Sequence, residues 1–188
     1  MKSIAVFCGS NFGRGEGYRA AAAAFGRTLA GRGLRLVYGG TNRGLMGVVA
    51  DAVLAGGGAV TGVITHSLHQ RGHLHPGVAE FEVVADMRSR KARMAECADA
   101  FIALPGGIGT LEELFEIWTL AQIEGLTKPI GMLDVGGFYQ PLLGFIEHMI
   151  EQQFLPAAHR GMVAVDGDPE RLLALLDAFR PVGVPKWL

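Results

Sequence analysis

The sequence predicts an α/β fold: a doubly wound, mainly parallel sheet of about seven strands with helices on both faces. Three observations carry this reading. Short apolar runs alternate with stretches of helical periodicity along the 188 residues. Most of the runs are apolar throughout, as strands covered on both faces are. Three of the turns that leave those runs are rich in glycine, which bares backbone toward the end of the sheet where such folds place their ligands.

Taken in order, strands are expected at residues 4–7, 34–38, 59–64, 81–84, 100–104, 130–133 and 162–165. Helices are expected at 18–31, 45–54, 87–97, 111–124, 138–152 and 169–179. Gly56-Gly57-Gly58 closes the second helix. Residues 67–77, rich in histidine and holding Pro76, read as a long loop. With no internal repeat and no linker, residues 1–188 are expected to form a single α/β domain.

Composition narrows the function classes. Apolar residues make up 49% and charged residues 19%, which excludes a disordered chain. With 17 basic against 18 acidic residues and a net charge of −1, there is no electrostatic footprint for a nucleic-acid polymer or an anionic membrane. Any anion has to be met locally. Cys8 and Cys97 form no Cys-x-x-Cys pair. The first residues do not read as a secretory signal, and no apolar run approaches the ~18 residues of a membrane span. A soluble, cytoplasmic protein is expected.

The glycine-rich turns exclude the common nucleotide cofactors. They are Cys8-Gly9-Ser10-Asn11-Phe12-Gly13 after the first strand, Gly39-Gly40-Thr41-Asn42-Arg43-Gly44-Leu45-Met46-Gly47 after the second, and Pro105-Gly106-Gly107-Ile108-Gly109-Thr110 after the fifth. None has the Gly-x-Gly-x-x-Gly spacing of a dinucleotide site, and the second strand ends without the carboxylate that would hold a ribose. Gly-x-x-x-x-Gly-Lys is absent, which argues against a Walker-type triphosphate site.

The third turn reads as an anion cradle. Pro105 ends ladder pairing, and the three glycines let successive N–H groups converge at the mouth of a helix expected to begin near Leu111. The helix dipole adds about half a positive charge there. Thr110-Leu111-Glu112-Glu113 also has the spacing of a capping box, in which Glu113 would merely return a hydrogen bond to the helix start. A carboxylate on the first helical turn beside a bound phosphate would equally lie within reach of an attached sugar. Glu112 and Glu116 share another face and read as solvated or paired.

Asp86 reads as the N-cap of the preceding helix. Met87, Arg90 and Met94 follow near one face, an apolar pair around one guanidinium. Arg88 and Arg93 read as a solvated face, whereas Arg90 and Lys91 belong to a helix that starts on the ligand side of the sheet. His66, His69, His73 and His75 crowd one loop without the spacing of a helix-borne zinc pair, so no metal site is expected. No Gly-x-Ser-x-Gly elbow is present.

Pro105-Gly106-Gly107-Ile108-Gly109-Thr110-Leu111-Glu112-Glu113 resembles the Pro-Gly-Gly-x-Gly-Thr-x-x-Glu signature of the Lonely Guy family, cytokinin riboside 5′-monophosphate phosphoribohydrolases often mislabelled as lysine decarboxylases. The resemblance extends to Phe7-Cys8-Gly9-Ser10, to Tyr38-Gly39-Gly40 with Gly44-Leu45-Met46-Gly47, to Met87 with Arg90-Lys91, to Thr119, and to the closing Val184-Pro185-Lys186-Trp187. It implies a Rossmann-like nucleotide-binding domain, a homodimer, and hydrolysis of purine nucleoside 5′-monophosphates to free base and ribose 5-phosphate without a cofactor. By position, Arg90 and Glu113 are implied as the catalytic pair. Cys8, Gly9, Ser10, Gly40, Met87, Lys91, Gly106, Gly107, Ile108, Gly109, Thr110 and Thr119 are implied as substrate contacts. The chain departs from its relatives at Thr41, where a third glycine is common, and near Gly72, where an acidic residue is common.

On this reading Glu113 stabilises the positive charge that develops at C1′ and activates water. Arg90 stabilises the leaving base or clamps the phosphate. A non-catalytic carrier of a nucleotide or of molybdenum cofactor would need the cradle but not Glu113. A pyridoxal-dependent decarboxylase would have to use Lys91, since Lys2, Lys128 and Lys186 are the only other lysines.

Overall fold

Strands that are apolar on both faces need cover on both, and the chain supplies it by alternating strand and helix. A computed structural model describes residues 1–181; the closing motif at 184–187 lies outside the described residues. The elements run β1 (Ser3–Phe7), α1 (Gly17–Gly31), β2 (Arg35–Tyr38), α2 (Gly44–Ala55), β3 (Val60–Thr65), α3 (His66–Gln70), β4 (Glu80–Val84) and α4 (Met87–Cys97). The second half continues β5 (Ala100–Ala103), α5 (Ile108–Ile123), β6 (Ile130–Leu133), α6 (Gln140–Glu151), β7 (Val163–Asp166) and α7 (Pro169–Asp177). All seven expected strands form. They make one sheet in the order β4-β3-β2-β1-β5-β6-β7, and every pairing is parallel.

Alternate strand residues feed two cores. Ile4, Val6, Leu36, Tyr38, Ile102 and Leu104 pack with α1, α2 and α7 on one face. Ala5, Phe7, Val37, Val63, Phe101 and Met132 pack with α4, α5 and α6 on the other. The period of two along each strand thus serves both layers.

Two local expectations need correction. Residues 66–70 are not loop but the short helix α3, capped by the Thr65 hydroxyl, which accepts from the Leu68 N–H at 3.3 Å. Helix α5 begins at Ile108, not near Leu111, with Gly107 as its N-cap and no side-chain cap. Thr110 therefore stands inside the first turn, and the capping-box reading of Thr110 and Glu113 fails. Glu113 lies on the second turn, where its carboxylate is free to face elsewhere. Asp86 caps α4 as expected, accepting from the Ser89 N–H at 2.7 Å.

The topology locates the cleft. From β1 the chain winds outward through β2, β3 and β4, then returns to β5 on the other side of β1. The turns after β1 and β5 consequently diverge, leaving a crevice at the carboxyl ends of the strands. The return helix α4 crosses beneath β3, β2 and β1 as well as β4. It carries residues from the sheet edge to the centre.

Candidate active site

The crevice is lined by Cys8, Ser10, Met46, Met87, Arg90, Gly107, Gly109, Thr110, Glu112 and Glu113, enclosing about 210 Å³. On the far side of the Pro105–Gly107 turn it adjoins a second hollow of about 270 Å³ walled by Phe12, Tyr18 and Phe138. Ser10 and Gly107 line both.

The two turns that frame the crevice are tied by backbone. The Gly9 N–H donates to the Pro105 carbonyl at 3.0 Å, and the Gly9 carbonyl accepts from the Leu45 N–H at 2.9 Å. Gly106 can only be glycine here, because a β-carbon would overlap the Thr110 side chain and press on the Gly9 amide. Beyond it, the amides of Ile108, Gly109 and Thr110 occupy the first turn of α5, where N–H groups have no acceptor within the helix. With the helix dipole they form a site suited to a phosphate dianion. The Ile108 side chain is 83% exposed, so only its backbone serves the cradle.

Behind the cradle lies one buried ion pair. Arg90 Nη1 donates to Glu113 Oε1 at 3.2 Å, with the side chains 8% and 13% exposed. Arg90 is fixed on a second side by Nε, which donates to the Val63 carbonyl at 2.9 Å. Its guanidinium occupies the space a side chain at residue 39 would need, so a β-carbon on Gly39 would overlap it. The neighbouring Gly40 is buried behind the cleft, and its carbonyl accepts from the His75 N–H at 3.0 Å. His75 is buried too, with Nε2 3.1 Å from Asp51 Oδ1 while Nδ1 accepts from the Gly77 N–H at 3.1 Å. The turn carrying Gly39 and Gly40 is thereby pinned from the loop that follows α3.

Burial raises the Glu113 carboxyl above its ordinary range, and the Arg90 charge opposes this only in part. The result is a more basic carboxylate beside a fixed cation. The Cys8 thiol is pushed far upward by burial, with the Glu113 charge adding to the effect, so it stays protonated and serves as apolar lining.

The crevice brings together Cys8, Ser10, Met87, Arg90, Gly107, Gly109, Thr110 and Glu113. Gly9 and Gly106 line the adjoining hollow instead, and Gly40 supports the crevice from behind. Lys91 and Thr119 do not line it. Lys91 Nζ pairs with Glu112 and, at 3.1 Å, with Glu116. Thr119 is exposed on α5, nine residues beyond Thr110 and so roughly 13 Å further along the helix axis. Arg93, expected to be solvated, pairs with Glu82 and Glu96. Sequence reasoning overlooked Gly39 and Met46, although both stand in the second glycine-rich turn, and the aromatic wall of the adjoining hollow. Among the described residues no group of three or more His, Cys, Asp or Glu is arranged to hold a metal ion, and no helix is long and apolar enough to cross a membrane.

Comparison with known proteins places the chain in a family. The family model described as possible lysine decarboxylase matches residues 46–176. A probable cytokinin riboside 5′-monophosphate phosphoribohydrolase of Oryza sativa subsp. japonica is 46% identical over 181 residues, 96% of this chain and 72% of the relative. The cytokinin riboside 5′-monophosphate phosphoribohydrolase of Rhodococcoides fascians is 47% identical over 176 residues, 93% of this chain and 89% of the relative. The molybdenum cofactor binding protein of Rippkaea orientalis shares the fold at a TM-score of 0.70 and 21% identity, covering 95% of this chain and 97% of that one. The chain belongs to the family described as possible lysine decarboxylase, together with the cytokinin riboside 5′-monophosphate phosphoribohydrolases.

Proposed function

We propose that this protein hydrolyses the N-glycosidic bond of purine nucleoside 5′-monophosphates, cytokinin riboside or adenosine monophosphate, giving free base and ribose 5-phosphate. The observation that carries the reading is the buried Arg90–Glu113 pair set directly behind an anion cradle. A nucleotide whose phosphate rests on the amides of Ile108 to Thr110 extends its sugar into the crevice toward Glu113. Breaking the bond from C1′ to the base leaves positive charge on the sugar, which the Glu113 carboxylate stabilises. Glu113 then takes a proton from the attacking water as its oxygen bonds to C1′. The bonding electrons leave with the base, which takes a proton from solvent to become the neutral purine, and Glu113 returns the proton it took from water to solvent. Arg90 holds Glu113 in place and offers a cation to whichever anionic group is nearer, the departing base or the phosphate.

The lining of two thioethers and a protonated thiol, from Met46, Met87 and Cys8, suits a flat purine and tolerates an apolar substituent on it. We further propose that the protein acts as a homodimer in the cytoplasm and that residues 1–188 form one nucleotide-binding domain. Thr119 lies outside the crevice of its own chain, so a contact with the nucleotide would have to be made across such a dimer.

Two other readings have less behind them. The carrier reading rests on fold likeness alone, and nothing in carriage calls for a buried carboxylate with a raised pKa. Decarboxylation through a lysine imine needs a neutral amine. Lys91 is instead held as an ammonium, its pKa raised by hydrogen bonding to Glu112 and Glu116 against a smaller effect of burial.

The test is to incubate the chelator-treated protein with adenosine 5′-monophosphate and with isopentenyladenosine 5′-monophosphate and to separate base from nucleotide by chromatography. Release of base with ribose 5-phosphate is expected, and the ratio of rates sets the preference. Tight binding with no release from either would support carriage instead.

A further inference from the structure

Of the four histidines between residues 66 and 75, only His75 is buried, at 4% exposure, and the proposed hydrolysis makes no use of it. Both its ring nitrogens have fixed partners. Nδ1 accepts from the Gly77 N–H at 3.1 Å, which leaves the ring proton on Nε2, to be donated to Asp51 Oδ1 at 3.1 Å. Asp51 lies on α2, the helix that the Gly39–Gly40 turn leads into. The imidazole therefore clasps the loop after α3 to α2. From that clasp the His75 main-chain N–H donates to the Gly40 carbonyl at 3.0 Å, and an antiparallel bridge pairs Thr41 with Leu74. What the held turn does for the site follows from its lack of side chains. Gly40 has a φ of 76°, in the left-handed region, and a β-carbon there would press on Phe81 and Ile64. A β-carbon on Gly39 would overlap Arg90 Nη2, so the backbone at residue 39 is one wall of the guanidinium's slot. The other two walls are the Val63 carbonyl and the Glu113 carboxylate. Those two belong to β3 and α5, whereas the third is a turn whose carbonyl His75 holds.

We infer that His75, clasped by Asp51, is a positioning residue for the Arg90–Glu113 pair: by holding the Gly40 carbonyl it keeps Gly39 against the guanidinium, and so keeps that cation on the carboxylate. The inference rests on the proposed hydrolysis and gives His75 a part in it that is exerted through the turn, since His75 does not itself line the crevice. With the imidazole gone, the loop loses its tie to α2 and the turn can draw back. The guanidinium then has room to leave Glu113, whose carboxyl loses the charge that opposes the effect of burial.

The experiment compares wild type with His75→Ala, His75→Asn and Asp51→Ala. Its readouts are kcat and KM for adenosine 5′-monophosphate per folded molecule, and two NMR measurements without substrate: a ¹³C titration of the Glu113 side-chain carboxyl and the exchange rate of the Arg90 Nε–H. His75→Ala should lower kcat by about tenfold, the scale of displacing a catalytic group by a fraction of an ångström. KM should stay within about twofold, because the cradle amides are untouched. The Glu113 titration should move to higher pH, and the Arg90 Nε–H should exchange faster as its bond to Val63 loosens. In His75→Asn the amide oxygen can replace Nδ1 in accepting from the Gly77 N–H, and part of kcat and of the titration should return. Asp51→Ala removes a partner that is 72% exposed and should move the same readouts the same way by less; it carries the test should His75→Ala not fold. Lower stability in these variants with kcat, the Glu113 titration and the Arg90 exchange all at wild-type values would overturn the inference and leave His75 a prop for its loop alone. Absence of base release from wild type would instead overturn the proposed hydrolysis, and the two NMR measurements would still decide whether His75 places the pair.

Discussion

The two ends of the sheet differ in a way that shows what makes a site. At the amino-terminal ends of β6 and β7, a groove of about 640 Å³ is lined by Leu126, Ile130, Met162, Leu175, Leu176 and Phe179 among others, with Arg180 the only charged residue on its described wall. At the carboxyl ends, the crevice encloses about a third of that volume but gathers first-turn amides, a guanidinium and a buried carboxylate. Space with apolar walls excludes water but cannot tell one reacting atom from another. The smaller cleft has direction, because helix dipole, amides and ion pair are aimed at one place. The parallel sheet produces this asymmetry, since every strand points its carboxyl end, and so every following turn, to the same side.

The sharpest way to break the comparison is to remove charge from the smaller cleft while keeping its shape. Glu113→Gln should lower turnover by about a hundredfold or more, the usual size of a lost electrostatic contribution to a transition state. Nucleotide binding by calorimetry should stay within a few-fold of wild type. Next in size is Gly39→Ala, whose methyl group would collide with the Arg90 guanidinium. Displacing that cation should cost about tenfold or more in kcat/KM, and the overpacked site about 1–3 kcal/mol in chemical denaturation.

A smaller effect follows from pH. Glu113 is raised above its ordinary value of 4.5 by burial, and the ionised form is the active one. The acid limb of kcat/KM should therefore lie above 4.5 and vanish from the residual activity of Glu113→Gln. The same shift bears on stability. The protonated carboxyl favours the fold below its unfolded-state pKa, and that contribution is lost as pH rises through the higher folded-state value. At the opposite end of the sheet, Leu176→Ala should cost about 2–4 kcal/mol of stability by deepening a cavity and leave kcat unchanged at temperatures where the variant is folded.

The sheet was legible because its evidence is local. Val60 to Thr65 or Ala100 to Ala103 can be read as buried strands from side chains alone, and the glycine turns mark where they stop. The start of α5 was hidden for a physical reason: Ile108 and Gly109 open the helix in a stretch that reads as a flexible turn, since glycine is a poor helix former. What holds that first turn is backbone, with Gly106 packed on Thr110, rather than a side-chain cap that a pattern would reveal. The short α3 was hidden similarly, because five residues give too little periodicity to read.

At the site, the resemblance names Arg90 and Glu113 as the catalytic pair, but the hydrogen bond between them is not legible in the residues themselves. Their contact exists because α4 runs beneath four strands to meet α5, a consequence of strand order that a single sequence does not display. The same holds for Gly39, whose missing side chain makes room for a residue 51 positions away in the chain. Lys91 shows the converse. Its position beside Arg90 pointed to the ligand, whereas its ion pairs with Glu112 and Glu116 could not be read from the chain.

The most direct test of where the chemistry resides is a crystal structure of the Glu113→Gln protein with adenosine 5′-monophosphate. The phosphate is expected on the amides of Ile108 to Thr110, with C1′ facing residue 113 and the base against Met46 and Met87. A nucleotide seated with C1′ turned away from residue 113, or intact only at the opposite end of the sheet, would contradict the assignment of Glu113 and Arg90 to catalysis.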